Sequence, residues 1–99
     1  MPQSYLDLTR EISAGIQQLR AEIPDTLRGF SAMAQAAGKP GVLDAKTKEL
    51  IAMALSVSSR CDPCIGYHAQ ALVKFGASRA ELAEMLGMAV YMGGGPSLL

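Results

Sequence analysis

The chain contains no tryptophan, and only three Tyr and two Phe occur among its 99 residues. Its core must therefore be filled by aliphatic and thioether side chains. Excess charge is also missing: nine Lys plus Arg balance nine Asp plus Glu, for a formal net charge of zero. A nucleic-acid or anionic-membrane binder carries a positive surplus, so neither partner is expected. No apolar stretch approaches the roughly 18 residues that suggest a membrane span. Met1 to Asp7 lacks the basic-then-apolar layout of a secretory signal. Val, Ile and Thr together number only 12, few for a chain that must build a sheet. These shortages predict a cytoplasmic protein with a single domain over residues 1–99, without β-structure.

Helix formers are abundant: Ala, Leu and Met make up 33 of the 99 residues. Hydrophobic residues reach 49%, which excludes disorder. A monomer of this length buries only about two thirds of its unfolded surface. Part of that apolar surface is therefore expected to be covered by other copies of the chain.

Helix punctuation divides the sequence. Ser4 caps a first helix to about Glu22, with Leu8, Ile12, Ile16 and Leu19 forming an amphipathic stripe. Pro24 ends it. A second helix is expected from Asp25 to about Ala37, closed by Gly38 as a left-handed cap with Pro40 shortly after. Asp44 caps a third helix to about Ser59, in which ten uncharged residues separate Glu49 from Arg60. A helix apolar on every side is buried on every side, so this one is expected to be central. Pro63 suits the first turn of a fourth helix, which runs to Phe75 with Gly76 as its cap. Ser78 and Glu81 form a capping box for a fifth, which stops at Gly93-Gly94-Gly95-Pro96. The expected fold is all-α, a bundle of about five to six helices.

The reactive side chains are scarce and clustered. Cys61, Cys64 and His68, the only cysteines and the only histidine, fall within eight residues. On one helix, Cys64 and His68 at i, i+4 stack on the same face, with Cβ atoms about 6 Å apart. The imidazole can accept the thiol proton, and the first turn of a helix favours a thiolate. Cys61, one turn earlier, is close enough to pair with Cys64, so the two can cycle between dithiol and disulfide. A structural disulfide would suit an exported protein better. Zinc would lack an evident fourth ligand. Covalent haem needs C-x-x-C-H, and Ile65 follows the second cysteine. A thioredoxin fold needs a strand before the motif, where Lys46 to Ser59 are helical in composition. Thiol redox chemistry is the favoured reading, with a structural disulfide and zinc still open.

Glu49 leads into the apolar run, where a partly buried carboxylate needs a partner; the plain alternative is a surface residue balancing Lys46 or Lys48. In an idealised hairpin Glu49 lies about 18 Å along its helix from Cys61, and His68 about 10 Å back along the next. Contact between them then needs a favourable crossing or a bridging water. Tyr67 and Tyr91 can donate hydrogen bonds but suit the edge of a core. Arg60, beside Cys61, reads as a solvated charge.

Glu49 to His68, written E-x11-C-x-x-C-x-x-x-H, resembles the active-site signature of the alkylhydroperoxidase AhpD-like family, within the carboxymuconolactone decarboxylase superfamily. The likeness runs from Leu43-Asp44-Ala45-Lys46-Thr47-Lys48-Glu49 to Gly93-Gly94-Gly95-Pro96. It implies an AhpD-like helical fold in its single-motif short form, assembled as a homotrimer or homohexamer. It also implies roles: Cys64 attacks a hydroperoxide, Cys61 resolves the sulfenic acid as a disulfide, and His68 with Glu49 relays protons, through a water. The partners implied are a hydroperoxide and a dithiol or lipoyl-type reductant, with neither cofactor nor metal. Where peroxidase members carry a second histidine between the cysteines, this chain has Pro63, preceded by Asp62. The alternatives are a general thiol–disulfide oxidoreductase, a carboxymuconolactone decarboxylase-type lyase, or a non-catalytic oligomeric binding module. Relatives of the decarboxylase type lack the cysteine pair.

Overall fold

The computed structural model describes residues 3–99. It is all-α, with six helices in chain order: α1 (Tyr5–Glu22), α2 (Pro24–Gly38), α3 (Ala45–Ser58), α4 (Asp62–Lys74), α5 (Arg79–Gly93) and α6 (Gly95–Leu98). Local chemistry sets most of these ends. The Ser4 hydroxyl accepts from the Asp7 amide at 3.1 Å, and the Asp44 carboxylate from the Thr47 amide at 2.7 Å. Ser78 and Glu81 exchange both bonds of a capping box. α1 and α2 are separated by Ile23 alone, and Pro24 opens α2 at a position whose missing amide hydrogen costs nothing. Six helices lie within the expected five to six; the sixth is the glycine-rich end, where the chain resumes as α6, one short turn with Pro96 near its start.

The sequence reading of the end of α2 is corrected. Gly38 stays helical, and the chain leaves through Lys39 in an extended conformation (φ −60°, ψ 130°). A left-handed glycine cap serves to satisfy orphan carbonyls at a helix end. Here a cation does that work: Lys48 Nζ, from α3, donates to the carbonyls of Ala37 at 2.9 Å and Lys39 at 2.5 Å.

α3 is central, packed against α4, α5, α2 and α6. It buries Met53 and Ser56, but Ile51 is 46% exposed and Leu55 63%. The expectation that the apolar run is buried all round therefore fails for the single chain, because Ile51 and Leu55 border an open groove between α3 and α2. The buried apolar core is small, formed by Met53, Leu72 and Ala89. α1 docks on α4 through a close, polar seam. The Tyr67 hydroxyl donates to the Thr9 carbonyl at 2.9 Å and pairs with the Ser13 hydroxyl, while Gln70 Nε2 donates to Thr9 Oγ1 at 3.1 Å. Gly66 permits this approach, since a Cβ there would lie 2.6 Å from Thr9 Cγ2.

The result is flat, 41 × 40 × 24 Å. Its radius of gyration is 14.6 Å, against about 13 Å for a compact domain of 100 residues. It exposes 7308 Å², where a monomer of this mass exposes about 5,400 Å².

Candidate redox active site

The turn between α3 and α4 sets up the site. Arg60 takes the left-handed conformation (φ 56°), usually occupied by glycine. Its amide bonds the Val57 carbonyl at 3.1 Å, and the Cys61 amide bonds that of Ser56 at 3.1 Å. This Schellman closure ends α3 and delivers Cys61 directly to the start of α4. There Cys61 is the N-cap residue, and its sulfur accepts a hydrogen bond from the Cys64 amide at 3.3 Å. Pro63 occupies the first turn, as expected, and Asp62 places an acidic group there too.

Cys61 and Cys64 are joined as a disulfide, with Cα atoms 5.2 Å apart. One turn on, His68 Nδ1 meets Glu49 Oε2 at 2.7 Å. Both side chains are partly buried, His68 34% and Glu49 24% exposed, so solvent reaches the pair without flooding it. Neither a long offset nor a water separates them: α3 and α4 cross so that the second turn of one faces the second turn of the other. An ionised carboxylate only accepts, so Nδ1 carries the hydrogen and Nε2 is the basic ring nitrogen. The two cysteines and His68 line one pocket of about 290 Å³, together with Ala52, Leu55, Ser56 and Ser59 of the α3 end. The arrangement can move a proton at Nε2 and two electrons at the sulfur pair.

Other residues singled out from the sequence go elsewhere. Tyr67 belongs to the α1–α4 seam, Tyr91 is 77% exposed, and Arg60 is an exposed turn residue. Among the described residues no group of three or more His, Cys, Asp or Glu is placed to hold a metal ion. The sequence reading missed two contributions: the Cys61 sulfur as a helix cap, and Lys48 as the tie between α3 and the end of α2. An N-cap preference table ranks oxygen-bearing side chains first, which hides a cysteine in that role. Lys48 bonds main-chain carbonyls, which leave no mark in a sequence.

The sequence pattern of the carboxymuconolactone decarboxylase family matches residues 24–99. The chain belongs to this family. α2 to α6, and so every residue of the site, lie within the family match; α1 precedes it. A carboxymuconolactone decarboxylase family protein of Legionella pneumophila, solved in its apo form, is 57% identical and superposes with a TM-score of 0.92, over 95% of this chain and 84% of that one. A family protein of Thermotoga maritima, for which a part in an antioxidative response has been suggested, is 40% identical with a TM-score of 0.69, over 74% of this chain and 75% of that one. An uncharacterized protein of Cupriavidus necator shares 37% identity, covering 90% of this chain and 79% of its own length. An uncharacterized protein of Haemophilus influenzae shares 41%, covering 63% and 55%. The family assignment agrees with the AhpD-like short form implied by the Glu49–His68 motif.

Proposed function

We propose that this family member is a thiol-dependent hydroperoxide reductase. The observation that carries the reading is the Cys61–Cys64 disulfide in one pocket with the ring of His68, itself held by Glu49. In the reduced chain, His68 Nε2 takes the proton of the Cys64 thiol. The thiolate attacks the distal peroxide oxygen, the O–O bond breaks, and the alkoxide leaves as alcohol with the proton from His68. Cys64 is now a sulfenic acid. The Cys61 sulfur attacks it, expelling water and closing the disulfide. An external dithiol then returns two electrons and two protons, becoming a disulfide itself. The sum is hydroperoxide plus dithiol giving alcohol, water and disulfide.

Glu49 fixes the tautomer and direction of the ring, and it stabilises the imidazolium that forms when the ring holds the proton. The helix start favours negative sulfur as well, since its amides are aimed outward and one already bonds Cys61. The antioxidative part suggested for the Thermotoga maritima relative supports the same chemistry. A small dithiol or a lipoyl-type group suits a pocket floored by Ala52 and Leu55, and such a donor works in the reducing cytoplasm. The exposed surface, about 1,900 Å² above that of a monomer of equal mass, supports assembly as a trimer or hexamer.

The test is peroxide consumption with a dithiol donor, comparing the wild type with Cys64→Ser and His68→Ala. Turnover is expected from the wild type, none from Cys64→Ser, and a rate about 10²- to 10⁴-fold lower from His68→Ala. If Cys64→Ser keeps full activity on a γ-lactone acid while no protein consumes peroxide, the lyase reading replaces this one.

A further inference from the structure

The two sulfurs of the Cys61–Cys64 disulfide are not equivalent. Both cysteines are partly buried and line the same pocket, so access does not choose between them. When a thiolate attacks a disulfide, the sulfur that carries negative charge better leaves faster, and the other is the one attacked. The surroundings of the pair therefore decide where a donor bonds.

Cys61 is the N-cap residue of α4. An N-cap side chain is reached by the amides of the second and third helical residues. The second is Pro63, which has no amide hydrogen; the third is Cys64, whose amide bonds the Cys61 sulfur at 3.3 Å. Charge gathering on Cys61 thus meets a donor already in place, and such a bond strengthens as its acceptor becomes anionic. Asp62 opposes that charge, but it is exposed and screened by solvent, whereas the amide touches the sulfur. Beside Cys64 stands a base instead. His68 lies one turn on along the same face of α4, with Nδ1 held by Glu49 and Nε2 basic. Lys48, next to Glu49 on α3, is committed to the carbonyls of Ala37 and Lys39.

We propose that the external dithiol enters at Cys64, with His68 taking the proton of its thiol, and that Cys61 is the sulfur that leaves. The inference rests on the hydroperoxide-reductase reading and deepens its return step. The donor sulfur bonds to Cys64 Sγ, the Cys61–Cys64 bond breaks, and its electron pair goes to Cys61, which stays as a thiolate on the Cys64 amide. The second donor thiol then attacks the first donor sulfur, closing the donor disulfide and expelling Cys64 as a thiolate. The two protons of the donor, one of them by way of His68, end on the two cysteines. Cys64 thereby meets both the peroxide and the dithiol, and Cys61 meets neither.

The experiment uses the oxidised chain without peroxide. It is exposed briefly to 2-mercaptoethanol, a monothiol that cannot close a disulfide on itself, and stopped with excess N-ethylmaleimide at the earliest detectable product. Trypsin, cutting after Arg60 and Lys74, leaves both cysteines in one peptide, residues 61–74, whose fragment masses show which sulfur carries the donor. The donor is expected on Cys64 and the maleimide on Cys61, about tenfold over the reverse pattern, the effect of one hydrogen bond to a charged group. Reduction of His68→Ala by dithiothreitol at pH 7 should be about 10²-fold slower than that of the wild type. That deficit should close above about pH 8.5, where a thiol ionises unaided. Pro63→Ala supplies a second amide hydrogen beside Cys61, so its equilibrium constant for reduction by dithiothreitol should rise about tenfold. Circular dichroism confirms the fold of each variant.

Donor found on Cys61, or on both sulfurs alike, would overturn the proposal. So would a His68→Ala deficit that is absent at pH 7 or unchanged at high pH, or a Pro63→Ala constant that stays the same or falls. Donor on Cys64 in a chain that consumes no hydroperoxide overturns the reductase reading alone. Peroxide turnover with the donor on Cys61 overturns this inference alone.

Discussion

At the scale of single residues, the site depends on one contact between helices. Glu49 and His68 are 19 positions apart, and their bond of 2.7 Å exists only because α3 and α4 cross where they do. Glu49→Gln keeps the side chain's shape and one acceptor but removes the charge that supports an imidazolium. Dithiol-dependent peroxide turnover in that variant is expected to fall about 10- to 100-fold, the usual cost of losing a partner that orients a working imidazole. The contrast between this pair and the cysteines explains what the sequence could disclose. Cys61, Cys64 and His68 were legible because i, i+3 and i+4 neighbours meet on any helix. The direct Glu49 bond was not, since helical rise fixes distances along an axis but not the angle at which two axes cross. The Lys48 contacts were hidden for a different reason: their acceptors are carbonyls, identical in every residue.

At the scale of helices, the ends were more readable than the faces. Ser4, Asp44 and Ser78 cap where their side chains predict, because capping is settled within four residues. The outer face of α3 was misread, as burial depends on what lies alongside. Two consequences concern how helices are held together. Gly66→Ala would drive a methyl group to 2.6 Å from Thr9 Cγ2. Urea unfolding should show a loss of about 1–3 kcal/mol. Thr9→Ser in the same chain removes that methyl and keeps the hydroxyl, so it should recover most of the loss.

The second consequence concerns pH. Lys46 Nζ and Glu81 Oε2, 2.8 Å apart, tie the start of α3 to the start of α5. Hydrogen bonding from Lys46, then from the Ser78 amide, holds the Glu81 carboxyl below its ordinary 4.5. Hydrogen bonding from Thr47, through its side chain and its amide, holds Asp44 below its ordinary 3.8. The folded state thus binds these protons more weakly than the unfolded chain. The stability they supply is complete above the ordinary values and is lost as pH falls through the lowered ones. Lys46 is raised above 10.5, chiefly by its hydrogen bond to Glu81, and its contribution is lost instead as pH climbs past that value. Thermal melts from pH 6 down to about 3 should therefore show a smaller drop in Tm for Glu81→Gln than for wild type.

At the scale of the whole molecule, the single chain is flat and carries many large apolar side chains on its surface. The exposed set includes Phe30, Met33, Leu55, Met88, Tyr91 and Met92, and a specific interface needs about 800 Å² from each partner. Sedimentation equilibrium at micromolar concentration is expected to return three or six times the 10.4 kDa protomer mass. A single-protomer mass would mean that this surface meets something other than itself. Composition foretold the surplus of apolar surface, since 49% hydrophobic residues cannot all be hidden in so short a chain. It could not foretell where the surplus lies, because that follows from the order in which the helices stack.

The sulfur that begins α4 has one more property. A single backbone amide hydrogen, that of Cys64, points at the Cys61 sulfur, an atom whose electron density rises when a disulfide is reduced. Its proton resonance is thus a native gauge of the oxidation state, readable in an intact chain without dye or label.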